Sequence, residues 1–441
     1  MSVFRAALLS ALLLCPLLIR PTPTGAQTVG ASTATDAVYA DARPKLLQIR
    51  TLLRTAGAKS STGSGFLVSA DGLAITNYHV VSEYALEPQT YRLEYAAGDQ
   101  GSGPVEIVAL DIADDLALIR IDRRDQPFFR FDDVAVAGTM PKGERLYSLG
   151  DPLDLGFTIV EGTYNGLVDR SYTDRIHFTG AINPGMSGGP SVTAEGRIAG
   201  INVAKLMGND LISFLVPARF AAELLARAGE GKPVAGAELK AEIGRQLSAW
   251  QSRFYGAIGK DGFTTTATGP YRAPESAAPW FSCGGQTNAD RAPKPKTLID
   301  GTNCFSDSRV FVAEGLTIGL VHLSHTYLRT SELNPMQFSA LLTQQGRGGM
   351  SQQWPRKWFT RQACRDDFVA APEGDDGPVR RVIWCARAYR EFDDLYDVSV
   401  TLVTVDRDRE ALVSRLLLDG ISFGNAMTLS QSFVDAVRWN R

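Results

Sequence analysis

The chain is poor in histidine, with four in 441 residues, and poor in cysteine, with five. None of the cysteines stands in a CxxC or CxxxH spacing, which argues against a finger-type zinc site, so neither metal nor cofactor is expected. Beyond the N-terminus no run of 18 apolar residues occurs, and no membrane span is expected in the mature chain. Basic residues are not in excess: 45 Lys and Arg face 48 Asp and Glu, a formal net charge of -3. That balance removes the global electrostatic footprint of a nucleic-acid binder. What is present, 44% hydrophobic and 21% charged residues, is the composition of a folded protein with length for two or three domains, and it excludes a disordered or fibrous chain.

The first residues read as an export signal. Arg5 supplies the positive start, Ala6 to Ile19 form an apolar stretch, and Thr24-Gly25-Ala26 is a small-residue cleavage site, giving a signal peptide over 1–26. The stretch is shorter than the roughly 20 residues of a spanning helix and meets Pro16 and Pro21, so cleavage and a periplasmic or extracellular location are expected. Cys15 falls inside that leader. The other four, Cys283, Cys304, Cys364 and Cys385, then lie in an oxidising compartment and are expected to form two disulfides. Equal spacing within the pairs favours Cys283 with Cys304 and Cys364 with Cys385, although four cysteines permit three connectivities.

From Val38 to about Val216, short apolar runs alternate with Gly, Asp and Asn clusters, the pattern of many short antiparallel strands. ARFAAELLARA after Pro217 is helix-forming, and GEGKPVAG suits a linker over 229–236. The expected organisation is therefore a mainly β unit over 27–228 and an α+β unit over 237–441. In the latter, Leu239, Ile243, Leu247, Trp250 and Phe254 recur at helical spacing. With Tyr255, these aromatics fit domain core or a partner surface equally well. Strands are expected at Leu316–Leu323, Val379–Trp384 and Val398–Val405, and helices around Pro335–Leu342, Arg409–Leu418 and Ala426–Val437. Each cysteine pair precedes a strand and then a helix, a pattern that a diverged internal duplication would produce.

The densest chemical signal is GAINPGMSGGPSV, Gly180 to Val192, where Ser187 sits among glycines and a proline that force a sharp, irregular turn. Such a loop exposes a hydroxyl and gathers backbone N–H groups. Acyl transfer needs both, because the tetrahedral intermediate carries an oxyanion. The amides of Gly185 and Ser187 are the candidate oxyanion hole. A serine hydroxyl also needs a base and a group that orients the base. His79, in TNYHVV at the end of a strand-turn-strand pattern, is the candidate base, and Asp115, opening the apolar run DLALIRID, can accept from its imidazole. His322 and His325 lie three apart in an expected strand, where alternation sends them to opposite faces and argues against a shared metal.

GSGFLV, TNYHVV, DLALIRID and NPGMSGGP, in this order, resemble the HtrA/Deg branch of trypsin-like serine proteases over about Val38 to Ala228. The resemblance implies a double six-stranded β-barrel with a triad of His79, Asp115 and Ser187 between the barrels. It selects Asp115, which immediately precedes its strand, over Asp111 and Asp114, expected as loop charges facing water. IAGINVA resembles the strand that pairs with substrate backbone, so Gly200, Ile201 and Asn202 would edge the cleft. Where trypsin has an aspartate six residues before the nucleophile, this chain has Ala181, followed by Ile182. Protein or peptide substrates cut after small or aliphatic residues are therefore expected. Two features depart from the family: Met186 stands where HtrA proteins carry Asn, and no PDZ-like segment follows. The leading expectation is a secreted serine endopeptidase. The alternative is a catalytically idle, protease-like scaffold whose second half binds a partner.

Overall fold

The computed structural model describes residues 33–152, 155–205, 212–229, 231–234, 236–276, 278–350, 355–370 and 377–440, and the leader expected over 1–26 lies outside them. After α1 (Thr33–Ala42), six strands close a first barrel: β1 (Leu46–Leu53), β2 (Lys59–Leu67), β3 (Leu73–Thr76), β4 (Tyr91–Ala96), β5 (Ser102–Asp111) and β6 (Leu116–Ile121). A helix, α2 (Tyr78–Leu86), interrupts them directly after β3. Neighbours run 1-2-3-6-5-4, all antiparallel. Strand β6 is almost wholly buried and correspondingly apolar, LALIRI, whereas β4 alternates as a wall strand with one wet face should.

Past the short α3 (Asp133–Val136), a second barrel closes from β7 (Arg145–Gly150), β8 (Thr158–Leu167), β9 (Ile176–Phe178), β10 (Pro190–Val192), β11 (Ile198–Lys205) and β12 (Ser213–Pro217). The expected double barrel is thus present. Helix α4 (Ala218–Arg227) follows β12, with Ala218, Ala221 and Leu224 buried.

Helix α5 (Gly236–Asp261) leads into the C-terminal domain. Its stripe Leu239, Ile243, Leu247, Trp250, Phe254 is buried, together with Tyr255 and Ile258. One continuous hydrophobic core joins one set of first-barrel side chains, this stripe and the C-terminal sheet, while a second core packs other first-barrel residues, among them Leu46, Phe66, Ile75 and Leu118, against the second barrel. The aromatics that fitted core or partner surface equally well are therefore core: Tyr172, from the loop between β8 and β9, packs against Trp250, Phe254 and Trp280. Gln246 ties α5 to the first barrel, donating to Leu110 O at 2.7 Å and accepting from Ile112 N–H at 2.9 Å.

The domain contains a small sheet, β13 (Thr265–Thr268), β14 (Tyr271–Pro274) and β22 (Arg438–Trp439), and a seven-stranded antiparallel sheet. The larger sheet is built from β15 (Phe281–Thr287), β16 (Leu298–Ala313), β17 (Leu316–Arg329), β18 (Ala363–Val369), β19 (Arg380–Ala388), β20 (Tyr396–Thr404) and β21 (Glu410–Ile421) in the order 15-16-17-21-20-19-18. Cys283–Cys304 and Cys364–Cys385 are bonded, each across directly opposed residues of a hairpin, and the two hairpins form the opposite edges of the sheet. Helices α6 (Pro335–Gln345) and α7 (Phe423–Asp435) lie where expected. The first starts on a capping box between Asn334 and Gln337, with Pro335 in its first turn.

One expectation fails. Arg409–Leu418 reads as a helix but is strand β21, flanked by β17 and β20. A short apolar run carries no decisive period, and a strand buried between two neighbours wants apolar residues at almost every position. Among the described residues no helix is long and apolar enough to cross a membrane.

Candidate active site

The site forms where three local structures meet: the N-terminus of α2, the turn before β6, and the loop before β10. Asp115 occupies that turn with φ 57°, a left-handed conformation that aspartate tolerates better than most residues. The conformation brings both its backbone and its carboxylate to α2. Its carbonyl accepts from Tyr78 N–H at 3.1 Å and Asn77 Nδ2 at 2.8 Å. Its carboxylate accepts from His79 N–H through Oδ1 at 2.9 Å and meets His79 Nδ1 through Oδ2 at 2.7 Å. The imidazole is therefore fixed both in place and in tautomer, with Nδ1 protonated and Nε2 left as an acceptor. Burial lowers the His79 pKa, but the charge and hydrogen bond of Asp115 outweigh it, and the net shift is upward from the ordinary value.

Asp111 and Asp114 are not water-facing charges. Their side chains are only 16% and 14% exposed and pair with Arg227 at 2.7 Å and Arg175 at 3.1 Å, respectively. The turn is covered by α4 and by the chain entering β9, so these carboxylates are largely shielded from water and pair with cations. Burial pushes the Asp114 carboxyl up to about 6 against the pull of Arg175.

Ser187 stands in a loop whose glycines are required by close packing. Gly188 has φ 83°, and a Cβ there would collide with Ser64 O and Thr76 Oγ. Ser64, the serine of GSGFLV, braces the loop from the first barrel: its N–H donates to Ser187 O at 2.7 Å and its hydroxyl to Gly185 O at 2.7 Å, while that hydroxyl accepts from Asp151 N–H at 2.9 Å. Asn202 braces the loop from the other side. Its Nδ2 donates to Leu149 O at 2.9 Å and Met186 O at 3.3 Å, and its Oδ1 accepts from Ser191 Oγ at 3.1 Å. Met186 N–H is tied to Asn183 O at 3.0 Å, and the Met186 side chain is buried in the core of the second barrel. Among the described residues, neither Gly185 N–H nor Ser187 N–H has an intramolecular acceptor.

The Ser187 hydroxyl donates to Val203 O at 3.3 Å, and it forms no hydrogen bond with His79. Of the residues expected to edge the cleft, Gly200 and Ile201 lie buried in the barrel wall, and Asn202 is fully buried in its bracing role. The accessible neighbour of Ser187 on β11 is Val203. Ala181 is exposed, and Ile182 is buried with its N–H on Ser213 Oγ at 3.2 Å; the same hydroxyl donates to Gly180 O at 2.7 Å. The bracing roles of Ser64 and Ser213 escaped sequence reasoning, although Ser64 lies inside a motif that was itself conspicuous. His325 is buried against Ser414 Oγ at 2.9 Å, with its pKa lowered by burial to about 4, while His322 is partly exposed. Among the described residues, no group of three or more His, Cys, Asp or Glu is placed to hold a metal.

Residues 63–201 match the family model of the trypsin-like peptidase domain. A probable periplasmic serine endoprotease DegP-like of Chlamydia pneumoniae is 31% identical over 171 residues, 37% of this chain and 33% of that protein. The mitochondrial serine protease HTRA2 of Drosophila willistoni is 32% identical over 180 residues, 39% of each chain. The chain thus spans a third to two fifths of the length of these relatives. The crystal structure of a serine endoprotease from Yersinia pestis is 23% identical, covering 45% of this chain and 68% of that one at a TM-score of 0.39.

Proposed function

We propose that this chain is a serine endopeptidase of the HtrA type working through an acyl-enzyme on Ser187, a reading supported by the match of residues 63–201 to the trypsin-like peptidase domain. Ser187 attacks the scissile carbonyl, and His79 Nε2 takes the hydroxyl proton and returns it to the leaving amine. Asp115 keeps the imidazole in the required tautomer and stabilises the imidazolium, and the amides of Gly185 and Ser187 receive the oxyanion. A single observation carries this reading: the Asp115 carboxylate holds both the backbone and the ring of His79.

The bond from Ser187 Oγ to Val203 O belongs to the resting site. A hydroxyl changes rotamer within nanoseconds, and once it turns to His79 the Val203 carbonyl is free to accept an N–H from an extended substrate. Ala181 places no charge at the position that selects basic residues in trypsin, which supports cleavage after small or aliphatic residues. The two disulfides and the leader-like sequence over 1–26 support action in the periplasm or outside the cell, in keeping with relatives named as probable periplasmic endoproteases.

A labelled fluorophosphonate tests the proposal. It should modify wild-type protein and not Ser187→Ala, and wild type alone should cleave casein. Absence of both labelling and cleavage in the wild type, with partner binding retained, would instead identify an idle scaffold.

A further inference from the structure

Strand β16 leaves its disulfide-bearing edge hairpin and ends against α2 of the first barrel. There Tyr78, fully buried and adjacent to His79, donates its hydroxyl to Val312 O at 2.8 Å. One residue earlier, the ring of Phe311 lies 6.3 Å from the Tyr78 ring at 64° and 6.0 Å from the His79 imidazole at 75°, an edge-to-face arrangement with each. Among the described residues, Phe311 is the aromatic ring in contact with His79, and it comes from the C-terminal domain.

The placement of Phe311 is specific. The β16–β17 ladder shifts register on both sides of it, between Asp307 and Val310 and between Phe311 and Ala313. Such bulges re-aim a side chain out of the regular alternation of a strand. Val310 and Val312 are buried, whereas Phe311 remains partly exposed beside an imidazole whose side chain is 29% exposed. A large apolar ring is thus held at the rim of the cleft with part of its surface in water.

We propose that Phe311 is a specificity-determining residue: it walls the part of the substrate cleft that lies against His79 and selects an apolar side chain on the substrate residue next to the scissile one. The proposal rests on the peptidase reading above. His79 must reach both the attacking hydroxyl and the leaving nitrogen, so a bound peptide carries a residue flanking the scissile bond past the imidazole. That residue meets the Phe311 ring. An aliphatic side chain there buries surface of its own and of Phe311. An acidic one loses hydration against an apolar wall, close to the Asp115 carboxylate behind the imidazole. The C-terminal domain thereby becomes part of the cleft, and its chemistry enters the choice of substrate.

The test uses the full-length protein and a positional library of peptides, with fluorophosphonate labelling of Ser187 counting active sites. Wild type should favour Leu or Val over Ala and Asp at the residue flanking the scissile one. Phe311→Ala should lose about tenfold of that preference in kcat/KM, carried mainly by KM, with Phe311→Leu intermediate. Phe305→Ala removes an exposed aromatic elsewhere on the same strand and should keep the wild-type profile. A Phe311→Ala protein that is labelled and cleaves with the wild-type profile overturns the inference alone. Wild-type protein that resists labelling overturns the peptidase reading and this inference with it. Should Phe311→Ala fail to fold, Phe311→Leu decides: a shifted profile supports the wall, and an unchanged one overturns it.

Discussion

Ser64, on the first barrel, donates its hydroxyl to the carbonyl of Gly185, on the second, at 2.7 Å. The loop that carries Ser187 is therefore positioned from across the cleft, by a residue 121 positions away in sequence. Among the described residues, the N–H groups of Gly185 and Ser187 in that loop have no intramolecular acceptor.

Ser64→Ala leaves Gly185 O and Asp151 N–H without their buried partner, a cost of about 1–3 kcal/mol in stability. It also frees the loop to drift. We expect kcat to fall roughly 10- to 100-fold with KM nearly unchanged, since loss of a single oxyanion donor costs about 100- to 1,000-fold and a displaced one costs less. Steady-state kinetics beside urea denaturation measure both; wild-type kcat in a destabilised variant would show that the loop does not depend on this bond.

Asp115→Asn keeps an acceptor for His79 N–H but presents an amide N–H to the ring, reversing the tautomer. Turnover should drop by about 10⁴-fold, with folding preserved because Asn also tolerates the left-handed turn. Circular dichroism and single-turnover kinetics check the two halves of the expectation, and a loss below tenfold would place the orienting role elsewhere.

The pH dependence of His79 has a definite sign. Its pKa is raised in the folded protein, Asp115 outweighing burial, so the acid limb of kcat/KM should fall above 6.5. The same shift stabilises the fold fully below 6.5 and ceases to do so as pH rises through the folded pKa. Activity gains and stability declines over one window. NMR titration of His79 in Ser187→Ala reads the pKa directly, and Asp115→Asn should carry it downward, since burial then acts unopposed.

Tyr78→Phe removes the hydroxyl that meets Val312 O and leaves a buried carbonyl unpaired. We expect a loss of about 1–3 kcal/mol in urea unfolding. The substrate profile should shift in the direction of Phe311→Ala, because the tie that sets β16 against α2 has gone. Unfolding and profile both at wild-type values would mean that packing alone positions the strand.

Local chemistry was legible in the amino-acid order. Glycines around Ser187, the strand-turn-strand before His79 and the apolar run after Asp115 are short-range patterns that dictate backbone shape, and they announced the Ser187 loop, while the double barrel was implied by the family resemblance those motifs carry. Strand β21 was not legible, because EALVSRLLLDGI fits a helical face as readily as a strand enclosed by β17 and β20. Nor were the ion pairs of Asp111 and Asp114, whose partners arrive from α4 and from the approach to β9.

The amino-acid sequence by itself determined which side chains are the candidates for acyl transfer, since short-range patterns set Ser187 in a glycine-rich loop, Asp115 in a turn and His79 directly after a strand. Only the tertiary structure decided what surrounds them: Ser64 across the barrels, and Phe311 of the C-terminal sheet against His79. The reason is physical. Those contacts follow from packing surfaces distant in sequence, one barrel against the other and the apolar stripe of α5 between barrel and sheet, and the free energy of such cores depends on the whole fold, with no trace in the residues adjacent to either partner.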